Sequence, residues 1–161
     1  LPFGDITRKT LIDNQSYAAK TGYLSKLEIG YRLRGNVGIS FAMVQNQYNT
    51  VNNNPDEWWS LVGFVAGPMF SIPLKNKFIF ELKPRIGFAG ASLNMDENTQ
   101  LGEENNSLII NPNISLRYNF ARRWCVLTDA GYIYSEQKME FIGNKQFQSF
   151  NLGVGIAYRY K

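Results

Sequence analysis

Apolar and polar side chains alternate along most of this chain, and a period of two is satisfied only by extended strands that separate two environments. From Ser107 to Phe120, Leu108, Ile110, Ile114, Leu116, Tyr118 and Phe120 share one face, with Asn111, Asn113, Ser115, Arg117 and Asn119 on the other. Lys77 to Asn94 sets Phe78, Phe80, Leu82, Ile86 and Phe88 against Glu81, Lys83, Arg85, Gly87, Ala89 and Ala91. In the last run Phe150, Leu152, Val154, Ile156, Tyr158 and Tyr160 oppose Ser149, Asn151, Gly153, Gly155, Ala157 and Arg159. A helix would scatter these sets around its circumference.

Four further runs carry the pattern less strictly: Gly22 to Arg34, Asn36 to Tyr48, Trp58 to Leu74 and Arg123 to Lys138. The turns Arg34-Gly35-Asn36, Lys75-Asn76-Lys77 and Ala121-Arg122-Arg123 are tight. Between them lie longer polar stretches, Gln45 to Glu57, Asn94 to Asn106 and Met139 to Gln146, read as loops. Short turns on one rim and long loops on the other are the pattern of outer-membrane barrels, whose strand number is even. Seven runs therefore predict an all-β, antiparallel, up-and-down transmembrane β-barrel of eight strands, with the first strand mostly missing from this sequence. Leu1 to Asp5 would be its end and Ile6 to Thr21 the first outer loop. Residues 1–12 alternate poorly, which makes them the weaker choice for that strand.

The chain has 161 residues, enough for one domain spanning 1–161. No apolar run approaches the roughly 18 residues of a membrane helix, and mean hydropathy is −0.27. A barrel strand escapes that test because only alternate residues are apolar. The net charge of +4 comes without a nucleic-acid motif, and the basic residues read as scattered along the strands. No basic segment followed by an apolar run opens the chain, so a secretion signal would have been removed or left out. Cys125 is alone and reads as ordinary packing.

Alternation does not say which face points outward. A soluble lipocalin-like carrier would enclose its aromatic face around a ligand. Here the polar face is rich in Gly, Ala, Ser and Asn, which suits a crowded lumen better than a solvated exterior. Aromatic residues also gather near strand ends: Tyr31, Phe78, Tyr118, Phe120, Trp124, Tyr158 and Tyr160 by the tight turns, and Tyr23, Tyr48, Trp58, Tyr132, Tyr134 and Phe150 toward the loops. Two such bands fit interfacial girdles. The lipocalin Gly-x-Trp signature is missing. The expected lumen charges are Lys26, Glu28, Arg32, Glu81, Lys83, Arg85, Arg117, Asp129 and Arg159, paired because buried charges must be. Pro68, Pro84 and Pro112 fall on the apolar face within strands, where a closed barrel has no edge to accommodate a missing N–H.

The ending Gly155-Ile156-Ala157-Tyr158-Arg159-Tyr160 resembles the terminal-strand signal read by the barrel-assembly machinery, though Lys161 follows the last aromatic. Leu1-Pro2-Phe3-Gly4-Asp5, Tyr17-Ala18-Ala19-Lys20-Thr21-Gly22-Tyr23 and Gly67 to Leu74 resemble small outer-membrane β-barrel proteins of Gram-negative bacteria, the outer membrane protein A/X-like group. That resemblance implies an integral outer-membrane location with short turns and C-terminus periplasmic and long loops extracellular. It implies contact with outer-membrane lipid and lipopolysaccharide, with the assembly machinery during biogenesis, and with other outer-membrane proteins.

The chain has no histidine, the usual base for a serine or cysteine nucleophile. No catalytic constellation assembles, so the expectation is no enzyme, no cofactor and no metal. Asp96, Glu97, Glu103 and Glu104 make one loop acidic, but their spacing fits no EF-hand. The expected role is structural or protein-interacting, as a free porin-like barrel or a subunit of a larger complex. A lipocalin-like carrier and a narrow channel are the alternatives.

Overall fold

The computed structural model describes residues 2–8, 16–19, 22–49, 58–75, 77–96, 99–101, 107–139 and 143–160. All their regular structure is strand: β1 Pro2–Arg8, β2 Ser16–Ala19, β3 Tyr23–Arg34, β4 Val37–Asn49, β5 Trp58–Pro73, β6 Phe78–Lys83, β7 Ile86–Asp96, β8 Thr99–Leu101, β9 Ser107–Ile110, β10 Asn113–Tyr118, β11 Trp124–Met139 and β12 Gly143–Tyr158. Every pairing is antiparallel, and β3–β4, β4–β5, β5–β6, β10–β11 and β11–β12 each join neighbours in sequence. β6 with β7, and β9 with β10, each form one wall position interrupted at its middle. β12 pairs with β1, which pairs with β2, so the sheet curls into an up-and-down barrel.

The interruptions explain the three prolines. Phe70↔Leu82 and Ala66↔Ile86 continue one register on either side of Pro68 and Pro84, which puts those two opposite each other. Asn113↔Lys83 and Ile86↔Ile110 likewise put Pro112 opposite Pro84. The N–H of Asn111 donates to the Arg85 carbonyl at 2.9 Å, and that of Tyr132 to the Pro112 carbonyl at 3.0 Å. Because hydrogen-bonded and non-bonded pairs alternate, Pro68 and Pro84 then face each other as one bonding pair with both donors missing. The losses fall on one row and not on three separate ladders.

The loop end departs from the alternation pattern. Ile6–Arg8 are strand, paired with Phe147–Lys145, and Ser16–Ala19 are strand too, so Ile6 to Thr21 is not one loop. Met139 to Gln146 is not a long loop, since β11 and β12 stay paired through Met139↔Gly143. β4 runs on through Asn49, and Thr99–Leu101 pairs back on β7. These segments lack alternation because no contrast between an apolar and a polar face marks them, and ladder hydrogen bonds alone define them as strand. β1 covers β12 only from Lys145 to Asn151. Below it, Gly153–Tyr158 pairs only with β11 and Tyr23–Arg34 only with β4, among the described residues.

The aliphatic and aromatic set points outward. Phe64, Phe88, Ile86, Ile114, Leu82, Leu152 and Val154 are exposed on the barrel exterior, while Glu81, Lys83, Arg85, Ser115 and Asn113 are buried inside. An open apolar groove of about 390 Å³ crosses the exterior between Leu27, Phe41, Phe64 and Ile86.

Candidate functional site

The barrel interior has two layers. Toward the turns, the chain β3–β6–β10–β11 contributes one connected ion network. Lys26 Nζ lies 2.5 Å from Asp129 Oδ1 and 3.6 Å from Glu28 Oε2. Glu28 in turn receives Lys83 Nζ at 2.6 Å and Arg85 Nη1 at 3.2 Å. Lys83 also reaches Glu81 Oε2 at 2.8 Å, and Glu81 Oε1 accepts from Arg117 Nη2. These residues meet because each occupies an inward position of its strand, and Ser115↔Glu81 and Ser115↔Asp129 bring the carboxylates level. Ser115 Oγ accepts from Lys83 at 3.2 Å and donates to Asn113 Oδ1 at the same distance. Such pairing is what makes buried charge tolerable.

Two residues expected in this network stand apart from it. Arg32 and Arg159 are exposed at the turn end, and Arg159 Nη2 donates instead to the Arg122 carbonyl at 2.6 Å. Arg32 lies on, and Arg159 just beyond, a strand portion that pairs on one side only, so solvent reaches them and no acid is needed beside them.

Toward the loops the interior carries an apolar cluster, which alternation did not reveal, with Asn46, Ser135, Gln137 and Ser149 buried at the same end. Val44, Tyr48, Trp59, Leu61, Ile109, Ile133 and Phe147 form a packed cluster with Ala89 and Ala91. The Trp59 and Phe147 rings meet edge to face at 5.7 Å, with Tyr48 6.4 Å beyond. Tyr48 Oη donates to Ser149 Oγ at 2.8 Å, so this tyrosine is an interior residue and not part of the outer band. Strands such as Ser107–Ile110 are apolar on both faces here, so only three-dimensional packing tells which side is inward. Ala89→Leu is expected to overpack this layer and cost about 1–3 kcal/mol, read as a lower urea midpoint for folding in lipid vesicles. Gly63 lies against Ala89 and leaves no space to relax into.

The remaining aromatic positions divide as follows. Tyr31, Phe78, Tyr118, Trp124, Tyr158 and Tyr160 are exposed at the turn end, Tyr132 is exposed toward the loops, and Trp58, on β5, is half-buried. Phe78 stacks on Tyr118 at 4.9 Å, and Trp124 meets Tyr158 edge to face at 5.1 Å. Cys125 is buried, its Sγ 3.5 Å from the Ala157 carbonyl. Among the described residues no three of His, Cys, Asp and Glu converge as metal ligands. The acidic stretch Glu97 to Glu104 lies mostly outside the described residues.

No family model matches this sequence, and no curated protein matches it either. Among solved structures, the crystal structure of Neisserial surface protein A superposes with a TM-score of 0.60. The match covers 99% of this chain and 94% of that one, at 12% sequence identity. At that identity the likeness speaks for the fold, an all-β up-and-down barrel of the outer-membrane type.

Proposed function

We propose that this chain is an integral outer-membrane β-barrel with a filled interior and a structural or protein-interaction role. The observation that carries this reading is the apolar exterior. Phe64, Phe88, Ile86, Val154 and Ile156 are each more than half exposed, a surface that water would not tolerate but hydrocarbon would. A soluble carrier needs those side chains enclosed. The aromatic band at the turn end then sits at headgroup depth, the turns face the periplasm, and the long connections face outward, where recognition of other envelope proteins would reside. Lipid and lipopolysaccharide are its surroundings, and the C-terminal strand is its signal to the assembly machinery. The ion network, beyond which Arg32 and Arg159 stand at the open turn end, serves to hold the strands in register.

The test is folding into lipid vesicles without any partner, followed by electrophoresis with and without boiling. A heat-modifiable band resistant to protease is expected. A monodisperse, water-soluble protein without detergent would refute the reading.

A narrow channel would have to pass both the ion network and the plug formed by Tyr48, Trp59, Leu61 and Phe147. The folded barrel is therefore expected to give no steady conductance in planar bilayers. Stepwise, ion-selective currents would make the channel reading the better one.

A further inference from the structure

The cations that look dispersed in sequence are gathered by the fold onto one rim. The first tight turn supplies Arg34, the second Lys75 and Lys77, the third Arg122 and Arg123, and the end of β12 supplies Arg159; all are exposed. The segments that build this rim, residues 29–38, 70–75, 77–80, 117–128 and 153–160, contain no Asp or Glu. Among the described residues none of these cations has an acidic partner, in contrast with the cations inside the barrel. An exposed ring of one sign has not been arranged for folding, since its members repel.

Two details say where the charge is aimed. Arg123 Nη1 donates to Tyr158 Oη at 3.1 Å, which leans the guanidinium onto the exterior beside the Trp124–Tyr158 pair, away from the barrel mouth. Lys77 sits at φ 71°, a backbone region that favours Gly or Asn, and the Asn119 N–H and Nδ2 hold its carbonyl at 3.1 and 3.2 Å. A lysine stands where the backbone disfavours one.

We propose that this rim binds the phosphates of anionic phospholipids in the leaflet that the tight turns face. The proposal rests on the membrane reading above. In that setting the cations lie just beyond the aromatic band, at the depth of lipid phosphates. Arg grips a phosphate with paired N–H donors, and Lys reaches it along its flexible stem. An acidic protein would meet the same charges from below, but it would not call for a guanidinium turned onto the exterior.

The experiment is native mass spectrometry of the folded barrel, released from micelles holding equal amounts of phosphatidylglycerol and phosphatidylethanolamine. The barrel should retain phosphatidylglycerol over phosphatidylethanolamine by roughly fivefold at low salt. The preference should shrink in 0.5 M salt, about where screening shortens to a few ångströms. The variant Lys75→Gln/Lys77→Gln/Arg122→Gln/Arg123→Gln should retain both equally, and each pair alone should lose part of the preference. Lys138→Gln/Lys145→Gln, at the other end of the strands, should leave it intact. A folded, heat-modifiable barrel with no preference would overturn this proposal alone, whereas failure to fold in any lipid would strike the membrane reading. Tight binding of polyglutamate in zwitterionic micelles without lipid preference would also overturn it, in favour of an acidic protein partner.

Discussion

Leu82→Arg is expected to destabilise the folded barrel in lipid vesicles by about 2–4 kcal/mol, the cost of an arginine at the bilayer midplane. A strand rises about 3.3 Å per residue, and a tilt of about 40° leaves roughly 2.5 Å of height for each. Leu82 lies five residues beyond Lys77, hence roughly 13 Å above the turn, near the middle of an apolar band about 25 Å tall. Its neighbours Phe70 and Ile114 also point outward, so the new guanidinium finds no polar partner at its level. Ile114→Arg should cost the same as Leu82→Arg, because the two are cross-strand partners. Leu116→Arg, one row closer to the turns beside Phe80, should cost less. The gradient is the informative part. On a solvated exterior all three changes would fall within about 0.5 kcal/mol of the parent.

Glu81→Leu is expected to cost about 3–5 kcal/mol, the loss seen when one partner of a buried ion pair is removed. Glu81 is 1% exposed and accepts from both Lys83 and Arg117. Lys83 keeps Glu28 after the change, but Arg117 keeps no carboxylate among the described residues. Most of the penalty therefore belongs to the stranded guanidinium. Adding Arg117→Met to Glu81→Leu should recover most of the loss, since replacing both members of a buried pair is often nearly neutral. Urea midpoints for the single and double variants, compared in the same vesicles, measure the difference. A double variant no better than the single would mean that the network acts as a whole and not through this pair.

The wall positions and their two faces were legible in the sequence because inside and outside differ most in the middle of each strand. Ser107 to Phe120 and Phe150 to Tyr158 show it directly. Where the contrast fades, so did the reading. Ile6–Arg8, Ser16–Ala19 and Gly143–Gln146 are strand by pairing alone, and polar composition at that height looks like loop. Trp59, Leu61 and Ile109 lie inside among other apolar groups, so alternation could not separate them from outward neighbours such as Leu108 and Ile110. Most of the expected lumen charges do meet, because inward positions on adjacent strands share a level. Arg32 and Arg159 follow the same alternation but stand at the end where strands lack a second neighbour. The cationic rim was invisible for a topological reason: Arg34, Lys77 and Arg123 are far apart in sequence and come together only when every second connection folds to the same end.

What touches the outer face decides between a membrane barrel and a soluble one. Single spin labels placed by cysteine at positions 113 to 116 and 80 to 83, in a Cys125→Ser background, would report this residue by residue in lipid vesicles. At Phe80, Leu82, Ile114 and Leu116 fast relaxation by oxygen and almost none by a water-soluble nickel chelate is expected. At Asn113, Ser115, Glu81 and Lys83 slow relaxation by both reagents and tightly restrained motion are expected. Nickel-accessible labels at Leu82 and Ile114, with enclosed labels nowhere on the opposite face, would contradict the membrane barrel.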